Sequence, residues 1–246
     1  MVPYIAPRPQ TERAYAYWLG RFQGFLEGRE ASLELAQGFL QSLKDKGCKD
    51  NTLILAGRAI RNKLGIPVPL PRMEFPEPNY LTVDQIKALI EASLPLERTL
   101  VTVMFDTAGR ISEVMEMRVS RLRLDQGVAV VTRKGGHDEQ VSLGQRSVEA
   151  LREWLSIRKS HDDRVFMDYT VGQVRQRLTR TAHKLGFDFH PHLLRHSRVR
   201  QLLDSGATLE QVSEICGHKS LSTTALIYGR HTAADRARFL DQQAPW

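Results

Sequence analysis

Arg110 stands in the run Thr107-Ala108-Gly109-Arg110-Ile111-Ser112-Glu113, where a glycine breaks one helical pattern and an arginine stands at the opening of the next. Helix N-termini favour negative charge, so a cation there is better explained by an anion brought to it than by helix stability. Glu113, three residues on, is placed to hold the guanidinium, although taken alone the two also read as a surface ion pair. Lys134, flanked by Arg133 and by Gly135-Gly136, offers an ammonium group from a glycine-rich hairpin tip, a feature that is often no more than a solvated turn. In His190-Pro191-His192-Leu193-Leu194-Arg195-His196, a helix opening near Pro191 puts His192 and Arg195 on one face. A neutral proton acceptor beside a fixed cation suits a phosphate. A metal site built from His190, His192 and His196 competes with that reading, but Asp188 and Asp204 have no metal-ligand spacing. Thr208 to Arg230 reads as helix, tight Gly217 turn, helix, the outline of a helix-turn-helix in which Tyr228 is a packing residue.

The elements that must position these residues follow from periodicity. Pro67, Pro69, Pro71, Pro76 and Pro78 crowd one short stretch where neither helix nor central strand persists, so a linker is expected at 67–79. Before it, Glu12 to Leu26, Leu33 to Leu43 and Asn51 to Leu64 carry apolar residues at helical spacing, and Gly28, Gly47 and Gly65 stop them. After it, Thr82 and Gln85 spell an N-cap and its partner, with further helices from about Glu97 to Thr107 and from near Ile111. Between Val119 and Leu143 the period becomes alternating, as in Leu122 and Leu124, Val128 and Val130, Val141 and Leu143. A three-stranded antiparallel sheet is the economical reading. From Ser147 onward the pattern is helical again. The predicted fold is mainly α with a small three-stranded antiparallel sheet: a helical unit at 1–66, a linker, and a larger unit at 80–246.

Composition narrows the partners. The chain has 246 residues, 41% apolar and 26% charged, an ordinary globular balance that excludes a disordered or collagen-like chain. No apolar stretch reaches the length of a membrane span and the first ten residues lack a signal-like apolar core, so a chain neither membrane-bound nor secreted, hence cytoplasmic, is expected. Lys and Arg number 35 against 28 Asp and Glu, a net charge of +7 that tilts the partner toward a polyanion. Arg175, Arg177, Arg180, Lys184, Arg195, Arg198 and Arg200 concentrate that excess, with Asp188 the single acid among them. Cys48 and Cys216 form no metal or redox spacing and are expected to be packed thiols in a reducing compartment.

Taken in order, these residues resemble the tyrosine recombinase family, the phage integrase and Xer-like proteins, over roughly residues 81 to 230. The Arg110 segment looks like the family's first-arginine motif, although the small residues here run Thr-Ala-Gly. Lys134 matches the hairpin lysine, and Val141-Ser142-Leu143 falls where the family usually has Val-Pro-Leu. His192-Leu-Leu-Arg195-His196 matches the H-x-L-R-H box, His218 follows Arg195 by the family's 23 residues, and Tyr228 matches the nucleophile. Tyr228 follows His218 by ten residues where the family usually has nine, and the amino-terminal unit has three helices where many relatives have four or more.

The resemblance implies a core-binding, SAM-like helical DNA clamp joined to a catalytic domain, together encircling duplex DNA at a specific site. It also implies a site-specific recombinase that works through a 3′-phosphotyrosine without metal or nucleotide cofactor, and a synaptic tetramer whose tail, His231 to Trp246, docks on an adjacent protomer. In that scheme Arg110 and Arg195 clamp the phosphate, Glu113 supports Arg110, and His192, aided by His218, accepts the proton of Tyr228. Lys134 protonates the departing 5′-oxygen. Arg133, Arg175, Arg177, Arg180, Lys184, Arg198, Arg200 and Lys219 are the expected DNA contacts. A non-catalytic helix-turn-helix DNA-binding regulator is the alternative.

Overall fold

The computed structural model describes residues 9–72, 79–133, 136–167 and 169–217. The chain divides into two compact units, Met1–Phe75 and Pro76–Trp246. In the first, α1 (Pro9–Leu26), α2 (Leu33–Asp45) and α3 (Asp50–Leu64) form where the periodicity puts them. Ser32 caps α2 through its side chain, and Gly65 ends α3 with φ of 70°, left-handed backbone that a residue with a Cβ adopts at a cost. Phe22, Phe39, Leu43 and Ile60 are buried together, with Trp18, Phe25 and Leu35 packed around them.

The linker begins later than its prolines predict. Val68 is fully buried in the core of the first unit, Ile66 and Leu70 pack beside it, and the Arg61 Nε–H donates to the Val68 carbonyl at 2.6 Å. Gly57 makes room for this return, since a Cβ there would stand 2.2 Å from Leu70. Proline forbids helix and ladder, but it does not prevent the apolar residues between prolines from covering a core.

The second unit holds α4 (Val83–Ala92), α5 (Pro95–Asp106), α6 (Ile111–Met115), three strands β1 (Leu122–Arg123), β2 (Val128–Thr132) and β3 (Asp138–Ser142), then α7 (Gln145–Ile157), α8 (Val171–Lys184), α9 (Pro191–Asp204) and α10 (Leu209–Cys216). Thr82 and Gln85 form a reciprocal capping box on α4, as do Thr170 with Gln173 on α8 and Thr208 with Gln211 on α10. Gly172 therefore lies inside the first turn of α8. The strands run antiparallel in the order β1-β2-β3, with Ala129 opposite Val141 and Val131 opposite Glu139.

The sheet turns its inner face differently from the alternation expected. Ala129 and Val131 are buried, whereas Val128 and Val130 are half-buried. Because side chains repeat every two residues along a strand, this parity carries Arg133 inward as well. The main core joins α5, α7 and α8 through Leu100, Met104, Leu151 and Leu178, each fully buried. A separate cluster of Ala108, Val199, Val212 and Cys216 locks the turn after α5 to α9 and α10. Ser197 on α9 also accepts a buried hydrogen bond of 2.7 Å from the Leu81 N–H. Among the described residues no helix is long and apolar enough to cross a membrane.

Candidate active site

Arg110 occupies the N-cap of α6, with extended backbone. Glu113 is 4% exposed, and its carboxylate accepts from the Arg110 Nη1 at 2.6 Å, from the Arg110 backbone N–H at 3.1 Å and from the Arg133 Nη1 at 2.9 Å. The pair is thus no surface ornament: the acid is buried, and only the Arg110 side chain, at 29%, reaches solvent. Burial pushes the Glu113 carboxyl up, but the hydrogen bonds from Arg110 and the charges of Arg110 and Arg133 outweigh it and hold the group below its ordinary value. It stays anionic and keeps Arg110 in place.

Arg195 enters the same place from α9. It is 4% exposed, its Nη1 donates to the Ala108 carbonyl at 2.7 Å and its Nη2 to the Cys216 carbonyl at 3.0 Å. Ala108 presents that carbonyl from left-handed backbone, φ 48°, which an L-residue adopts at a cost of roughly 1–2 kcal/mol. The turn that carries Arg110 and the end of α10 are thereby drawn onto one guanidinium.

His192 lies on the exposed side of α9, in its first turn. Loss of part of its hydration lowers its pKa, and the charges of His190, Arg195 and Arg110 add to this while Glu113 opposes it. The imidazole is held neutral and able to accept a proton, within the electrostatic reach of both arginines. His196, one turn further, is lowered to about 4 by burial and by the charges of His192, His190 and Arg195. The ring of His192 lies 6.5 Å from those of His190 and of His196, and among the described residues no group of three His, Cys, Asp or Glu is arranged to hold a metal ion.

Arg133 corrects an expectation. Rather than facing a DNA backbone it is 4% exposed, bonded to Glu113 and, at 2.9 Å, to Glu139 through Nη2. A side chain two residues beyond Val131 on the same strand parity has to point inward, and that parity is the sequence signal that would have found it. Gly217 follows α10 with φ of 59°, and a Cβ there would stand 2.6 Å from the Arg133 Cζ. Backbone angle and close approach both require glycine.

The remaining basic residues divide. Arg175, Arg180 and Lys184 are exposed on α8 and have no acidic partner among the described residues, as a phosphate contact requires. Arg177 is half-buried, paired with the buried Glu97 and seated over the Tyr169 ring at 4.4 Å. Arg198 is half-buried near Asp106 and Phe105, and Arg200 pairs with Asp204 at 3.0 Å. Cys216 is fully buried with its thiol pKa raised by burial, and Cys48 is half-buried. Lys134, His218, Lys219, Tyr228 and the tail from His231 lie outside the described residues.

An anchored arginine, a second arginine bonded to the turn that carries the first, and a neutral imidazole are gathered by a turn and two helices in a mainly helical unit. The profile of the phage integrase family matches residues 79–235. The chain is 31% identical over 210 residues to the tyrosine recombinase XerC of Proteus mirabilis, covering 79% of this chain and 66% of that protein. It is 26% identical over 238 residues to the tyrosine recombinase XerA of Thermococcus kodakarensis, covering 89% of this chain and 84% of that one. In fold it is similar to the Tn1549 transposon integrase solved with transposon right-end DNA, with a TM-score of 0.76 at 15% identity over 96% of this chain and 94% of that one. The crystal structure of a XerA recombinase gives 0.61 at 22% identity, over 98% and 94% of the two chains. The chain belongs to the phage integrase family and is a tyrosine recombinase.

Proposed function

We propose that this recombinase cleaves and rejoins duplex DNA at a specific site through a 3′-phosphotyrosine on Tyr228. The observation that carries the reading is the convergence of Arg110, fixed through the buried Glu113, with Arg195, bonded to the Ala108 carbonyl two residues before Arg110, and with a neutral His192 on which both charges act. A phosphodiester attacked by a phenol oxygen gathers negative charge on its non-bridging oxygens, and pre-placed guanidinium groups stabilise that charge at no reorganisation cost. Tyr228 attacks the phosphorus, the bond to the 5′-oxygen breaks, His192 with His218 takes the phenol proton, and Lys134 gives a proton to the leaving oxygen. A 5′-hydroxyl from another strand reverses the step and releases the tyrosine. Arg175, Arg180 and Lys184 hold the flanking backbone, the first unit serves as a DNA clamp, several protomers act together on the DNA, and the cytoplasm is the compartment.

The test is a nicked suicide duplex carrying a site recovered by sequencing DNA trapped on the protein, incubated in EDTA. A protein–DNA adduct that survives denaturant, lost in Tyr228→Phe and kept in Tyr169→Phe, is the expected result. The Tyr169 control retains the ring beneath Arg177. Retarded DNA with no adduct would leave a DNA-binding regulator.

A further inference from the structure

We infer that Arg133 is a positioning residue for the cleavage step, one buried guanidinium that ties the helix end bearing Arg110, the root of the hairpin bearing Lys134 and the turn leading to His218 into a single rigid unit. The inference rests on the catalytic reading of those three residues and adds to it a part that none of them supplies.

The geometry is specific. Glu113 has two carboxylate oxygens: Oε1 takes the Arg110 Nη1, and Oε2 takes the Arg110 N–H together with the Arg133 Nη1. With Arg133 in place both oxygens are held, the plane of the carboxylate is set, and so is the direction in which Arg110 presents its remaining donors. Without Arg133, Oε2 keeps a single weak partner at 3.1 Å, and the carboxylate can turn about its last side-chain bond and carry Arg110 with it. The other end of the fork reaches Glu139 on β3, and the Arg133 N–H donates to the His137 carbonyl at 2.9 Å, closing the base of the hairpin. Arg133 immediately precedes Lys134 in the chain. Its Nη2 also lies 3.5 Å from the Ile215 carbonyl, and its guanidinium packs against Gly217, which immediately precedes His218.

Charge accounting agrees. A guanidinium 3% exposed is costly unless compensated, and here two carboxylates face it, of which Glu113 is shared with Arg110. A lysine could not span both acids, because its charge is a point rather than a planar fork. Misplacing a charge-stabilising group by about 1 Å can cost on the order of 100-fold in rate, and this is the effect expected of a loosened Arg110.

The experiment uses the full chain and the same nicked duplex. In Arg133→Met, single-turnover adduct formation is expected to slow by about 10–100-fold, while duplex affinity changes by less than about 3-fold and its salt dependence keeps its slope. Arg133→Lys should recover part of the rate. In a Glu113→Gln background, Arg133→Met should cost measurably less than it does in the wild-type chain, because the share of its effect that runs through that carboxylate is already gone while its hold on the hairpin base and the Gly217 turn remains. A wild-type rate in Arg133→Met, an equal loss in both backgrounds, or a loss of affinity and salt slope at unchanged rate would each overturn the inference, the last by making Arg133 a phosphate contact after all. Should Arg133→Met fail to fold, Arg133→Lys alone must cleave more slowly at unchanged affinity, and a wild-type rate there overturns it equally. If the wild-type chain itself forms no adduct, the recombinase reading fails rather than the role of Arg133.

Discussion

Replacing Glu113 by Gln removes one charge and little volume from the most connected point of the site. The carboxylate is 4% exposed and receives three hydrogen bonds, of 2.6, 2.9 and 3.1 Å, from two guanidinium groups and one backbone N–H. Taking one partner from a buried ion pair typically costs about 3–5 kcal/mol, because the other charge stays behind. Two features reduce this. Glu139 still compensates Arg133, and the Arg110 side chain, at 29% exposure, can turn to water. The expected loss is about 2–3 kcal/mol.

The loss also depends on pH. Burial pushes the Glu113 carboxyl up, the Arg110 hydrogen bonds and the Arg110 and Arg133 charges outweigh this, and its folded value lies below the ordinary 4.5. On acidification the unfolded chain takes the proton first, so the stabilisation is whole above pH 4.5 and is lost as pH falls through the lower folded value. Gln has no such titration, so the difference between wild type and variant narrows in that window. Urea unfolding followed by tryptophan fluorescence in a Trp18→Phe background reads the second unit, where Trp154 is buried and bonded to the Val165 carbonyl. A difference under about 0.5 kcal/mol at pH 7, or one unchanged to below pH 4, would refute the argument.

Gly217→Ala should lose at least about 2 kcal/mol and most cleavage activity, since left-handed backbone and a Cβ 2.6 Å from Arg133 act together; thermal melts and adduct yield check it. Ala108→Gly should stay within about 1 kcal/mol of wild type in the same melts, because relief of left-handed strain is offset by lost methyl burial and added chain entropy. Arg175→Ala and Arg180→Ala should each lower the slope of log affinity against log salt by about 0.9, whereas Arg177→Met, whose charge is already met by Glu97, should leave it nearly unchanged. His196 takes its proton in the unfolded chain near 6.5 and in the folded chain only near 4, so wild-type stability should fall as pH drops through that interval. His196→Asn should remove that part of the fall, on the order of 2 kcal/mol after allowance for solvent screening, in urea titrations across the range.

Local rules carried most of the architecture. Thr82 with Gln85 is a capping box in sequence and in space, and the apolar spacing of Trp18, Phe22, Phe39 and Leu43 is the core of the first unit. The pairing of Arg110 with Glu113 was legible because three residues are one helical step. What local rules did not reach is long-range. Val68 is buried in a segment that returns to the core beside α3, where Gly57 leaves room for Leu70, and nothing in a proline-rich string announces that. Arg133 looked like one more cation beside Lys134, and its burial depends on which sheet face is inner and on Glu113, 20 residues away. Arg177 likewise looked like a phosphate contact, but Glu97, 80 positions earlier by number, claims it.

The sulfur of Cys216 gives this site an internal gauge. Its side chain is fully buried, burial raises its pKa, and its own carbonyl is one of the two that grip Arg195. An alkylating reagent can reach such a thiol only when the last turn of α10 opens, so the modification rate measures how often the arginine loses its hold. The half-buried Cys48 in the first unit serves as an internal reference in the same tube. Mass spectrometry of the two peptides, with and without duplex, would therefore clock the closing of the centre without any added label.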